Sequence, residues 1–208
     1  MMLTSVDWSG DAGSHSDGPN QPGFLALAFV SIEEEYLEVL GAALGEVRAR
    51  NSFQPDHVFE HLKSTEAVKR DFCRALSTSE IQVRVLLVDK SRDWPESVWK
   101  LKGNERLVHC LAEGSGRLPA VVVNRQTLLL DLDQKKDGKF ATQIIKAVHR
   151  STRGVEKPGF RRIKCCPDSD PTLGDIVQVA DMVAGAVRRS RTTSPSDQPE
   201  LRRLILPL

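Results

Sequence analysis

Acidic residues are the side chains of this 208-residue chain whose types and spacing invite chemistry. Asp7 stands near the end of a short run, Thr4 to Trp8, that reads as a first strand, and the turn formers Gly10-Asp11-Ala12-Gly13 follow at once. A carboxylate at a strand end beside loop backbone is where α/β sheets place their sites. The plainer alternative is that Asp7 or Asp11 binds turn amides. Far along the chain, apolar residues from Ile176 to Val187 surround a helix, and Gln178 and Asp181 interrupt that surface at i, i+3 spacing on the face of Gly174 and Gly185. An unpaired buried carboxylate costs on the order of several kcal/mol. Asp181 therefore needs something cationic opposite it, either an arginine, a helix N-terminus or a metal ion.

Further acids lie between these two. In Leu128-Leu129-Leu130-Asp131-Leu132-Asp133 the two aspartates point to one face if the run is a strand, where they share a cation or repel one another. Glu60 sits in a predicted strand, His57 to Leu62, and Asp168-Ser169-Asp170 precedes the last helix closely enough to meet Asp181. Oxygen-only donors of this kind favour magnesium or manganese over zinc. His57 and His61 suit a structural or surface role, and Trp8, Trp94 and Trp99 are too scattered for a base-stacking platform. The sequence carries no nucleophile elbow, phosphate-binding glycine loop or dinucleotide fingerprint.

The elements that must position these groups follow from periodicity. Phe24 to Val30 is a buried strand expected to pair with the first in a long-loop hairpin. Helices are predicted over Glu33 to Arg50, Thr65 to Leu76, from Pro95 to a stop at Gly114-Ser115-Gly116, over Lys139 to His149 and over Leu173 to Arg188. Strands are predicted at Ile81 to Val88, Leu128 to Asp133 and Phe160 to Cys166, while Pro119 to Val123 is ambiguous. Thr172-Leu173-Gly174-Asp175 has the form of a capping box. The opening hairpin argues against a purely parallel sheet, so an α/β fold with a mixed sheet flanked by helices is expected. Residues 1–189 read as one domain, and 190–208 as a flexible linker with a short apolar tail that docks back on the domain or on a protein partner.

No apolar run approaches the ~18 residues of a membrane span, and the N-terminus carries no signal-like stretch. Cys73, Cys110, Cys165 and Cys166 make no C-x-x-C pair, which fits structural thiols in a reducing, cytoplasmic compartment. The net charge of +1 hides an asymmetry. Residues 1–133 hold 14 Lys and Arg against 20 Asp and Glu, whereas residues 134–192 hold 13 against 6. A phosphate-bearing ligand approaching the C-terminal half would meet favourable charge. Alternatively Lys135, Lys136, Lys139, Lys146 and Arg150 solvate a helix face.

Asp7-Trp8-Ser9-Gly10-Asp11, Asp168-Ser169 and Gln178-Val179-Ala180-Asp181-Met182-Val183-Ala184-Gly185 together resemble the domain-of-unknown-function 3800 family, which opens on Asp-Glu-Ser-Gly-Asp and closes on Asp-Ser and a Leu-Gln-Leu-Ala-Asp helix. Order and spacing span Asp7 to Arg188, with Trp8 in place of the family's glutamate. The resemblance implies a ribonuclease H-like fold and an acidic site at Asp7, Glu60, Asp133, Asp168 and Asp181, supported by Ser9 and Gln178. Asp133 is chosen over Asp131 as the third-strand acid. On this reading the chain is a divalent-metal-dependent nuclease acting on DNA or RNA. Asp7, Asp133 and Asp181 would coordinate magnesium or manganese, and Glu60 or Asp168 would complete the shells. The alternative is a non-catalytic nucleic-acid- or protein-binding module on the same scaffold. A third reading, acid–base hydrolysis without metal, requires two carboxylates with separated pKa values.

Overall fold

The structure, a computed structural model, describes residues 1–10, 12, 23–90, 93, 95–132, 134–153, 159–192 and 205–206. Strand β1 (Met2–Ser9) pairs antiparallel with β2 (Phe24–Glu33), with Asp7 opposite Ala28, so the expected long-loop hairpin is present. β2 pairs antiparallel with β3 (Ile81–Asp89). On the other side β4 (Thr127–Leu130) joins β1 in parallel, and β5 (Arg162–Cys165) joins β4 in parallel. A two-residue strand β6 (Ile205–Leu206) lies parallel against Val83 and Arg84, so this part of the tail docks on its own sheet. The six-stranded order is β5-β4-β1-β2-β3-β6. Because β1, β4 and β5 run in the same direction, their C-terminal ends share one edge of the sheet.

Helices cover both faces. A 3-10 turn at Glu34–Tyr36 leads into α1 (Leu37–Arg50), and α2 (Glu66–Leu76) follows, capped where the Thr65 hydroxyl accepts the Val68 N–H at 3.4 Å. Then come α3 (Glu96–Trp99), α4 (Gly103–Arg117), α5 (Ala120–Val123), α6 (Gln134–Thr152) and α7 (Gly174–Thr192). Strand alternation divides the core in two. Leu3, Ala28, Val30, Ile32 and Leu129 pack with α1, α2 and α7, while Val6, Leu25, Leu27, Phe29, Leu128 and Leu130 pack with α4 and α6. Asp7 has the parity of Leu3 and so projects toward α7. Among the described residues, no helix is long and apolar enough to cross a membrane.

Four expectations need correction. The segment from His57 to Leu62 forms turns and irregular backbone instead of a strand. Phe59 and His61 are buried alternately with Glu60, as a strand would have it, but their N–H groups bond to side chains of α7. The helix predicted after Pro95 is two helices, and the second continues through Gly114-Ser115-Gly116. A Cβ on Gly114 would stand 2.8 Å from the Phe29 ring, so that glycine serves close packing. The strand before Asp131 ends at Leu130, where the Leu132 N–H turns back to the Leu130 carbonyl at 2.8 Å. Finally, α7 extends to Thr192, past the predicted domain end at 189; the rest of the expected linker, residues 193–204, lies outside the described residues.

Candidate active site

The shared strand edge gathers the acids. Asp7, on β1, is 9% exposed, and its carboxyl is held well above the usual carboxylate range by burial and then by the negative charges of Asp131 and Asp181. The Trp8 N–H bonds to it and offsets part of that shift. Asp181, on α7, is raised in the same direction, mainly by burial, although the His61 N–H donates to its Oδ2 at 2.7 Å. The Asp7 and Asp181 side chains hydrogen-bond to each other. Two carboxyls meet in this way only by sharing a proton.

Asp131, just beyond β4, has the parity of Leu129 and faces α7. Burial, then Asp168 and Asp181, push its carboxyl up to about 6, while the Asp168 N–H donates to it. Asp168 is half-buried past the end of β5. Glu60 joins from the loop, close enough for its charge to act on both Asp131 and Asp181 while its own carboxylate meets Lys63 at 2.7 Å near solvent. Four of the five acids expected in the site, Asp7, Glu60, Asp168 and Asp181, therefore act on a common region, and the fifth acid found there is Asp131, the one passed over for Asp133. Asp11 and Asp133 lie outside the described residues. Ser9 is half-buried at the end of β1, and Ser169 is exposed.

Gln178 ties the surrounding segments together. Its Nε2 donates to the Asp168 carbonyl at 2.9 Å, and its Oε1 accepts from the Phe59 N–H at 3.0 Å and Arg48 Nη2 at 3.2 Å. Arg48 also donates to the His57 carbonyl and pairs with Asp175 at 2.7 Å. Sequence reasoning missed Arg48, although it occupies the buried stripe Leu40, Leu44, Val47, Arg48 of α1. The expected capping box at Thr172 to Asp175 is replaced: Asp170 Oδ1 accepts the Thr172 and Leu173 N–H groups, both at 2.9 Å, leaving Asp175 to Arg48. A cleft of about 350 Å³ opens beside Asp168, between Arg48, Asp56, Asp170 and Asp175.

The guanidinium of Arg48 thus neutralises Asp175 and none of the five central acids. Among the described residues, backbone N–H groups of Trp8, Asp168 and His61 are what offset the charge of Asp7, Asp131 and Asp181. Among the described residues, no group of three or more His, Cys, Asp or Glu side chains is set to hold a metal ion. The donor set nevertheless fits a hard divalent cation in kind: all oxygen, withdrawn from solvent beside one another, and crowded by like charge that a cation would offset.

No family model and no curated protein matches the chain. It is similar to the ribonuclease H2 of Pyrococcus horikoshii OT3, at 17% identity over 96% of this chain and 77% of that chain, with a TM-score of 0.54. Two structures of Bst-RNase HIII align at 15% identity, 90% and 52% coverage and TM-score 0.42, and, in complex with Mn2+, at 14%, 92% and 55% and 0.40. The likeness is one of fold, and the chain has the ribonuclease H-like architecture that its end motifs suggest.

Proposed function

We propose that the protein is a divalent-metal-dependent nuclease acting on DNA or RNA. The observation that carries this reading is the buried Asp7 carboxyl, crowded by Asp131, Asp181 and Asp168 with no lysine or arginine pairing it among the described residues. Asp7, Asp131 and Asp181 would hold magnesium or manganese, with Asp133 a further candidate and Glu60 and Asp168 at the rim. The chemistry supplied by such an ion would be activation of water and neutralisation of the leaving oxygen. This chain's own residues fix the carboxylates. The Trp8 N–H holds Asp7, the His61 N–H holds Asp181, and the Asp168 N–H holds Asp131.

Charge on α6 supports a phosphate-bearing substrate. Lys139, Lys146 and Arg150 are exposed, and their spacings of seven and four residues put them on one face of a helix that starts beside Asp131. Membership of the domain-of-unknown-function 3800 family belongs to the same proposal, on the motifs at Asp7 and Asp181. So does a cytoplasmic location, which suits a chain whose four cysteines make no C-x-x-C pair.

A second reading, a non-catalytic nucleic-acid-binding module, is favoured by two observations. Trp8 stands where the family motif has glutamate, and no three described donors are set around one ion. Incubation with labelled single- and double-stranded DNA and RNA, in magnesium, manganese or chelator, separates the two. The nuclease reading expects metal-dependent cleavage that Asp7→Asn and Asp181→Asn each reduce roughly 10²-fold or more. Binding without cleavage by wild type would select the module, and equal cleavage by all three proteins would overturn the assigned site.

A further inference from the structure

The cleft of about 350 Å³ beside Asp168 lies at the small end of the ~300–1,000 Å³ that ligand pockets occupy. Apart from Arg48 and Gln178, its lining comes from two segments, 55–58 and 168–175, with Pro55 and Val58 in the first and Pro171 in the second. The Arg48 side chain is only 9% exposed. Its Nε and Nη2 are committed to the His57 carbonyl, Asp175 and Gln178, and its Cζ sits 5.1 Å from the Phe59 ring centroid, so the plane of the guanidinium is fixed. Nη1, by contrast, makes no hydrogen bond among the described residues and is not shut away from solvent. In a side chain otherwise enclosed, the opening at Arg48 is the cleft, to which Nη1 offers a desolvated and pre-ordered donor.

An acceptor stands at the rim. Asp56 is exposed and has no hydrogen bond or ion pair among the described residues, whereas Asp170 caps Thr172 and Leu173 and Asp175 is taken by Arg48. A phosphate is the wrong occupant, because Asp175 already offsets the charge of Arg48, and Asp56, Asp168 and Asp170 would repel an anion. A flat, neutral ring with acceptors on one edge and N–H donors on another suits a partly apolar lining, a fixed guanidinium donor and an open carboxylate. An unstacked nucleobase is such a ring. In guanine, O6 and N7 are adjacent acceptors of the kind arginine reads, and N1–H and the 2-amino group are donors that a carboxylate accepts. Adenine sets an amino group beside N7 and would turn a donor toward the guanidinium. Asp168 ties this cleft to the acids: its N–H donates to Asp131, and its carbonyl is held by Gln178.

We propose that the cleft binds a guanine base of the substrate strand, unstacked beside the linkage presented to the acids, with Arg48 Nη1 donating to its O6/N7 edge and Asp56 accepting from its N–H edge. The proposal rests on the nucleic-acid substrate of the preceding section but not on cleavage.

The test is equilibrium binding by the full chain, in chelator so that no hydrolysis intervenes, of short labelled oligothymidylate and oligouridylate strands. One central base is replaced in turn by guanine, adenine, cytosine, 7-deazaguanine or hypoxanthine. Guanine should tighten binding roughly tenfold in at least one of the two series, and adenine and cytosine should not. 7-Deazaguanine, which lacks N7, and hypoxanthine, which lacks the 2-amino group, should each lose most of that gain. Arg48 is probed in this way from the ligand side, since replacing it would also release Asp175 and Gln178. Asp56→Asn, at an exposed loop position, should bind guanine and hypoxanthine alike while still discriminating against 7-deazaguanine. Glu38→Gln, an exposed change on α1, should keep the wild-type pattern. Equal affinity for the natural bases in both series, or an Asp56→Asn that discriminates against hypoxanthine as wild type does, overturns the proposal. Guanine preference without cleavage would leave the cleft assigned and remove the nuclease reading. Cleavage with no base preference would do the reverse, and failure to bind any strand would overturn both.

Discussion

The Asp7 carboxyl is almost fully enclosed, bonds to the Trp8 N–H and to Asp181, and faces the charges of Asp131 and Asp168. Nothing in its packing requires an acid. An asparagine has the same shape, still accepts from Trp8, and donates to Asp181 without needing a proton from solution. Asp7→Asn should therefore stabilise the metal-free protein by about 1–2 kcal/mol near neutral pH, seen as a higher urea midpoint with an unchanged slope. The same variant should lose any stabilisation by magnesium. This combination, a more stable protein with no metal response, is what a site kept for function at a cost in stability produces. A less stable Asp7→Asn that still responds to magnesium would mean that the carboxylate is structural.

α7 carries the site because its small residues let neighbouring backbone reach it. A Cβ on Gly185 would meet the His61 side chain at 2.2–2.6 Å, and that side chain is buried, so it has little room to yield. Gly185→Ala should displace the loop that delivers the His61 N–H to Asp181, costing about 1–3 kcal/mol in chemical denaturation and lowering metal-dependent activity with it. Gly45→Ala, in α1, has nothing within 4 Å of the new Cβ and should gain about 0.5–1 kcal/mol. If the two variants behaved alike, close approach at Gly185 would not be the reason for that glycine. Elements whose period matched their environment were legible in advance: β1, β2 and their hairpin, α2, and α7 with Asp181 and Gln178. The loop holding Glu60 was not, because alternate burial of Phe59 and His61 imitates a strand while their N–H groups serve Gln178 and Asp181. Asp131 was obscured for a related reason. Alternation was extended through a run whose backbone turns at Leu132, and Asp133, the residue preferred there, lies outside the described residues.

Across the whole molecule, the parallel run of β1, β4 and β5 makes charge converge. Three segments leave the same edge, each with an aspartate at or beyond its strand end, and α7 lays a fourth across them. Folding thus raises the carboxyls of Asp7, Asp131 and Asp181 above their unfolded values. Their contribution to stability is complete below about pH 4 and is lost as pH rises, Asp131's share through about 6 and that of Asp7 beyond its own raised value. His61 works against this. Burial, with the nearby charges of Lys69 and Arg189, lowers it to about 4, so its neutral form favours the fold above the ordinary histidine range and the advantage fades as pH falls toward 4. The pH profile of the chelated protein mixes the two effects. The difference between magnesium-loaded and chelated protein does not, because the acids do not figure among the charges acting on His61. A bound dication must displace protons from Asp7 and Asp131, so its affinity should rise with pH until both are ionised. The magnesium-induced gain in urea stability should be near zero at about pH 5 and reach about 2–3 kcal/mol at about pH 8 with magnesium well above its dissociation constant. An equal gain at both pH values would mean that the ion binds at carboxylates already ionised at the lower one, and hence away from these acids.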